Sequence, residues 1–519
     1  MKKIISLLLV FALMFTMCAC AGNGTSNNGE GGNNNSGSSA NSGSSGASGG
    51  TIEQTDPNYP VTMNTFYRNT IGADIVSDDP AVKEVDKKAD ALLKSIEDAP
   101  DTLKPTGSGK TYYISNSGDD KNDGLTPETA RQNYVAVYPF LKEGDVVLFN
   151  RGDIFRGFYK LVSGVSFGAY GEGIKPRIYG SVDGKLGEWV DDGSGVWTYN
   201  QTVTEYSNIV FNNGEKVGRP VKKKAYITKK EFNVFYSGAR ISVYSPNGNP
   251  AELFDSIEIV QGTKSILTGD ESGETRNVKV QNLCLMYGGV HGFGSLGYTY
   301  DMLIEGCVIG FMGGKNLFRG EISLGNAIEF MGGATNVTVR NNYLFQCYDT
   351  GITHQGPMNN SRSAEFDNIN YDNNLIEYCV WAIESWIHAR NGATAEDIAT
   401  GNTFNYGTVN VTNNICRYSG WGWGSLDRPD KNVYADLTYT SLNHIKPLTV
   451  SGNIFDRSRR NAFNLQVGTN PDMIVIKDNT ILAAQATRIF AGEQDVAAAE
   501  TAMNKFSNSV SGNTIKKVK

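Results

Sequence analysis

Several scarcities narrow the reading at once. Fifteen prolines in 519 residues are too few for a collagen-like or proline-rich disordered chain. Positive charge is not in excess: 47 Lys and Arg stand against 54 Asp and Glu, a formal net charge of −7, so the chain as a whole offers no field for a phosphate backbone and nucleic acid is not expected as a partner. The five cysteines beyond residue 20 (Cys284, Cys307, Cys347, Cys379 and Cys416) include no CxxC pair, and they read as small buried apolar side chains rather than as a zinc site or disulfide framework. After the first twenty residues no stretch approaches 18 consecutive apolar residues. What is abundant is glycine (59), asparagine (about 50), tyrosine (25) and phenylalanine (23), a turn-rich and aromatic composition that excludes an all-helical or largely disordered chain.

Lys2 and Lys3 precede an apolar run from Ile4 to Met17, too short for a permanent span, which reads as a secretory signal over residues 1–19. Its end, Met17-Cys18-Ala19-Cys20, resembles a bacterial lipobox, and the resemblance implies cleavage before Cys20 and lipidation of its thiol. Residues 20–50 are then a lipidated cysteine and a Gly/Ser/Asn tether. In the following segment, 51–109, Val82, Val85, Ala89, Leu92, Leu93 and Ile96 form a helical apolar stripe opened by Asp79-Pro80, which predicts one amphipathic helix.

Beyond residue 110 the helical period gives way to short β-type runs, and one pattern repeats. Val278–Leu283, Val337–Asn342, Ile369–Asn374, Val409–Asn414, Leu448–Asn453 and Ile474–Asn479 are alternating strands closed by asparagine. The last five are 32, 40, 39 and 26 residues apart at their final Asn, which suits coils bearing loops of unequal length. In a solenoid such side chains can stack as a ladder within successive turns, and the pattern predicts an all-β, parallel β-helix over 110–519. Residues 185–260, with Gly195-Val196-Trp197 and Ile241–Ser245, fit no simple rung and read as a small antiparallel β insertion.

The run Tyr112-Tyr113-Ile114-Ser115-Asn116-Ser117-Gly118-Asp119-Asp120 through Gly124-Leu125-Thr126-Pro127, followed by Gly144-Asp145-Val146-Val147-Leu148-Phe149, resembles the opening of the pectate-lyase-like right-handed parallel β-helix superfamily. The resemblance covers roughly 110 to 515. It implies a glycan as partner, while hydrolases, lyases, epimerases and non-catalytic surface proteins all share the fold.

A second set of repeats carries the candidate chemistry: Asn326-Ala327-Ile328-Glu329-Phe330, Thr350-Gly351-Ile352-Thr353-His354, Trp381-Ala382-Ile383-Glu384-Ser385 and Trp421-Gly422-Trp423-Gly424-Ser425. With the isoleucines inward, Glu329, Thr353 and Glu384 share an outward column. Two turns of about 4.8 Å set the glutamates 9 to 10 Å apart, near the upper end of the roughly 6.5 to 9.5 Å used by inverting glycosidases. Asp349 and His354 are placed on the same groove as candidate acid–base groups. Four of six tryptophans fall between residues 381 and 423, and Trp386, Trp421 and Trp423 are expected to line it as sugar platforms. His388, Arg390, Arg417, Asp427 and Arg428 are further substrate-binding candidates. No lysine lies between Lys315 and Lys431, which disfavours a lysine-base lyase, although His354 with Arg362 or Arg417 remains an alternative constellation. The acidic residues are scattered singly, without the dense cluster that calcium needs, so no metal or other cofactor is expected. The expectation is thus a monomeric, lipid-anchored surface protein acting on a polysaccharide, with a glycoside hydrolase ahead of a lyase or epimerase and of a non-catalytic binder. For the anchor, Cys20→Ala should move the protein from the membrane fraction to the soluble one, read by fractionation of expressing cells; retention at the membrane would place the anchor elsewhere.

Overall fold

The structure is a computed structural model that describes residues 77–203, 205–262, 264–271, 273–314, 316–317, 322–356, 365–386, 405–426, 434–439, 447–465 and 471–519. Its body is a right-handed parallel β-helix with three faces. Among the described residues the first face has 12 strands, the second ten and the third eight, and neighbouring rungs pair in parallel.

One rung shows how the sequence builds the others. Ala334–Arg340 lies on the first face, Tyr343–Phe345 on the second and Thr350–Gln355 on the third. Alternation puts Val337, Val339, Leu344 and Ile352 into one continuous core. The first corner is made by a residue pair. Asn341 takes a left-handed conformation (φ 53°), and Asn342 then turns its amide inward. The same left-handed column contains Asn282, Gly306, Asn373, Asn413, Gly452, Asp478 and Gly512, all residue types that tolerate positive φ.

The inward asparagines form a ladder. Asn342, Asn374, Asn414, Asn453, Asn479 and Asn513 follow one another; Asn342 Oδ1 accepts from Cys307 N–H, and each later Oδ1 accepts both the backbone N–H and the side-chain amide of the preceding member at 2.9 to 3.1 Å. The other amide hydrogen of each goes to a first-face carbonyl; Asn374 Nδ2, for example, donates to Val339 O at 2.9 Å. The amides are therefore satisfied although almost all are fully buried.

The second corner is also left-handed but uses bulky residues: Tyr287, Phe311, Gln346, Tyr378, Tyr418 and Arg457. For such side chains this conformation costs about 1 to 2 kcal/mol each. Ring stacking offsets it, with centroids 5.8 Å apart for Tyr287–Phe311 and 4.8 Å for Tyr378–Tyr418.

Helix α1 (Pro80–Glu97) covers the outer side of the second face. Asp79 caps it by accepting from Ala81 N–H, and Pro80 fills the first turn. Val82, Val85, Ala89, Leu93 and Ile96 are buried against Tyr343, Leu375 and Ile415. The insertion extends from strand Ser181–Asp183 to strand Ile257–Gln261. It has two sheets and its own core around Tyr206, Phe211, Phe254 and Ile259.

Replacing Asn374 by Leu strands the N–H of Asn342 and the Val339 carbonyl inside the core. Urea unfolding should show a loss of about 1 to 3 kcal/mol, whereas Asn373→Gly, one residue earlier in the left-handed column, should be close to neutral.

Candidate functional site

The outer side of the third face carries the site. Register pairs Gly294 with Glu329, Glu329 with Thr353, Thr353 with Glu384 and Glu384 with Thr438. Ile328, Ile352 and Ile383 beside them belong to the core, so Glu329, Thr353 and Glu384 point away from it in one column. The glutamates are two rungs apart, and their backbones are separated by about 9.6 Å.

Different partners hold the two carboxylates. Glu384 Oε2 accepts from Thr353 Oγ1 (3.1 Å), Thr350 Oγ1 (3.2 Å) and Gln355 Nε2 (3.4 Å). Glu329 Oε2 lies 2.5 Å from His291 Nε2. The Asn326 backbone N–H donates to His291 Nδ1 at 3.1 Å, so Nδ1 is an acceptor and the ring hydrogen sits on Nε2, directed at Glu329. Gly294, in register with Glu329, leaves space for this imidazole: a Cβ there would fall 3.2 Å from His291 Cδ2 and 2.3 Å from Ser265 Oγ. Both carboxylates lean toward the rung before their own, which preserves their separation. Glu329 is 5% exposed and Glu384 7%.

Trp386 is half-buried, two residues beyond Glu384 on the same side and paired in register with Gln355. Asp349 is half-buried at the corner just before Thr350, and its carbonyl receives the N–H groups of Val380 and Trp381.

Other candidates lie elsewhere. His354 follows Ile352 by two residues, so the alternation that turns Thr353 outward turns His354 inward. It is fully buried among Phe366, Tyr371 and Tyr439, with Nδ1 3.1 Å from the Tyr371 hydroxyl. Trp423 is also internal: Trp421–Ser425 is not the third-face strand of its turn, which is Ala435–Tyr439, and the Trp423 ring packs edge-on against Phe311 and Tyr348. Trp421 is half-buried there, its indole donating to Arg457 O and Arg459 lying over its ring. Arg417 is fully buried on the second face, bound to Glu377 and, at 2.7 Å, to Asp86 of α1. The groove expected to hold these four residues does not contain them, and the His354–Arg417 constellation is not assembled. His388, Arg390, Asp427, Arg428, Arg362 and Cys20 lie outside the described residues.

Sequence reasoning missed two groups. His291 belongs to a rung, Gly292-Phe293-Gly294, whose glycines hide its likeness to Ala327-Ile328-Glu329. Asp436 aligns with the corner position of Ala382, where the side chain turns inward. It is fully buried with a 2.7 Å bond from Ser419 Oγ. Burial pushes its carboxyl well above the usual carboxylate range, against the lowering effect of the Ser419 hydroxyl.

No protein-family profile and no curated protein matches this chain. Solved structures do resemble it. XylC in complex with xylose superposes with a TM-score of 0.46 and 11% identity, over 78% of this chain and 82% of that one. A GH136 lacto-N-biosidase from Eubacterium ramulus gives 0.39 and 16% over 79% and 68%. A polygalacturonase from Erwinia carotovora gives 0.35 and 11% over 80% and 96%. All three TM-scores lie below 0.5, and the parallel β-helix rests on the rung pairing itself.

Asp436 has a direct consequence for pH dependence. Its folded-state affinity for a proton exceeds the unfolded one, so its contribution to stability is full below about pH 4 and is lost as pH rises toward the raised folded value. In urea titrations Asp436→Asn should flatten this decline, gaining on the native protein more at pH 7 than at pH 4. Parallel curves for the two proteins would contradict the assignment.

Proposed function

We propose that this protein is a glycoside hydrolase acting on an extracellular polysaccharide, held at the bacterial surface through a lipid on Cys20. The observation that carries the reading is the column Glu329–Thr353–Glu384: two carboxylates on one outward face, two rungs apart, with a threonine between. The backbone spacing of about 9.6 Å lies at the upper end of the roughly 6.5 to 9.5 Å carboxylate separation used in inversion, which leaves space for a water. The solved structures named above share the fold at TM-scores below 0.5 and add no weight to this choice.

Hydrogen bonds hold both carboxylates in place. His291 donates at Nε2, because Nδ1 is occupied as an acceptor, and Glu329 offers a lone pair there. Glu384 Oε2 accepts from two hydroxyls and the Gln355 amide, and of the two carboxylates we take Glu384, beside Trp386, as the acid and Glu329 as the base. In the resulting mechanism Glu384 gives its proton to the glycosidic oxygen as the bond to the anomeric carbon breaks. Glu329 removes a proton from a water whose oxygen bonds to that carbon from the opposite side. His291 acts as a positioning residue, and Trp386 supplies a flat ring beside the acid.

Glu329→Gln and Glu384→Gln should each lower kcat by roughly 100- to 10,000-fold, the usual range for one acid–base group, while glycan affinity persists. The assay is incubation with a panel of plant, algal and host glycans, with product mass and anomeric configuration read by mass spectrometry and NMR. Products lacking one water would indicate elimination. Full activity in both variants would remove the carboxylate pair from the chemistry.

A further inference from the structure

One segment of the insertion carries a charge balance opposite to that of the chain, although the insertion from 181 to 261 is itself near neutral, with nine Lys or Arg against ten Asp or Glu. Residues 216–240 contain eight Lys or Arg and one acid, Glu231, a balance of +7 within 25 residues. Since the whole chain sums to −7, the remainder sums to −14 (−7 minus +7). Five of these cations, Lys222, Lys223, Lys224, Lys229 and Lys230, lie on one connection between strands Arg219–Pro220 and Asn233–Ser237, which pair directly with each other. The lysines are therefore gathered by a loop whose two ends are neighbours.

That loop is fixed in place. Ile227 at its centre is 3% exposed, and Asn233 Nδ2 donates to Tyr226 O at 2.9 Å. All five lysines are exposed, and none forms an ion pair with a carboxylate among the described residues. Tyr226 on this loop and Tyr236 on the strand after it are both exposed, and Lys229 Nζ stands 4.3 Å above the Tyr226 ring. Like charges held together without counter-charges repel one another, which an anionic partner would relieve. Exposed point charges interleaved with flat rings suit a chain of anionic sugars better than a single small anion, for which a buried donor cage would be needed.

We propose that this lysine loop is a docking site for an acidic polysaccharide, one bearing carboxylate or sulfate groups, separate from the carboxylate column. The insertion meets the solenoid at Gly289, whose N–H donates to Gln261 O at 2.7 Å, two residues from His291. A chain bound on the insertion is thereby kept on the molecule that carries the column. The proposal takes from the preceding reading only that the partner is a glycan.

The test is binding of the intact protein to polygalacturonate and chondroitin sulfate, with neutral arabinoxylan, phosphatidylserine vesicles and duplex DNA as comparators. The native protein should bind the acidic glycans and lose roughly ten-fold or more in affinity between 50 and 200 mM salt. Replacing the five lysines together by Ser should weaken that binding at least ten-fold at 50 mM salt, with turnover of neutral oligosaccharides unchanged. Replacing the same five by Arg should retain binding, which guards against a merely misfolded Ser variant. Equal binding by the Ser variant, or tighter binding of the native protein to vesicles or DNA than to acidic glycans, would overturn the proposal. Turnover in Glu329→Gln is read separately, so failure at the loop and failure at the column are distinguishable.

Discussion

The constraint on which the rest depends is the amide ladder at the first corner. A parallel β-helix buries a continuous core without any turn-to-turn contact that is specific to one residue type, and apolar strands can slide by a rung position with little penalty unless something polar fixes them. Six asparagines in line, each after the first accepting two bonds from its predecessor and each returning one to a first-face carbonyl, do so. A slip of a single residue would leave several buried amides unpaired at once, and it would turn every outward side chain inward. Glu329 and Glu384 share a column because Asn342 and Asn374 share another.

This coupling also explains what could be read from sequence. The ladder was legible because a buried amide at a repeated strand end tolerates no substitute, and the residue before it must accept a left-handed backbone. Asn-Asn, Gly-Asn and Asp-Asn are the written form of that requirement. The alternation around Ile328, Ile352 and Ile383 was legible for the same reason, and it gave the correct column for the two glutamates. The alternation also contained the answer for His354, which the proximity of charged neighbours in sequence overrode. Trp421, Trp423 and Arg417 were misplaced for a different reason. Their environment is made by α1 and by the aromatic second corner, elements hundreds of residues away in the chain or defined only by backbone conformation. His291 escaped because its rung is marked by glycines, which leave no periodic side-chain signal.

Charge is used in two contrasting ways. On the second face Arg417 and Arg457 are buried and matched: Glu377 and Asp456 neutralise them from the solenoid, and Asp86 reaches both from the helix. Such buried pairs add little net stability over apolar packing, yet removing one partner is expensive, so they specify where α1 sits more than how tightly it holds. The loop from Lys222 to Lys230 does the reverse, concentrating exposed cations that have no carboxylate partner among the described residues. One arrangement selects an intramolecular geometry, while the other is complementary to something outside the chain.

The path of α1 has one more consequence. Repeat proteins in which each turn touches only its neighbours unfold piecemeal, their ends fraying while the middle persists. Here the segment from Asp79 to Asp101 joins the last rung, through Lys516, to the middle rungs, through Arg417 and Arg457, and to the first ones, through Asn282 and Arg151. Distant turns thereby share a common partner, and opening either end must strip the helix from the rest. The solenoid is stacked one turn at a time, but the strap along its side makes those turns a single cooperative unit.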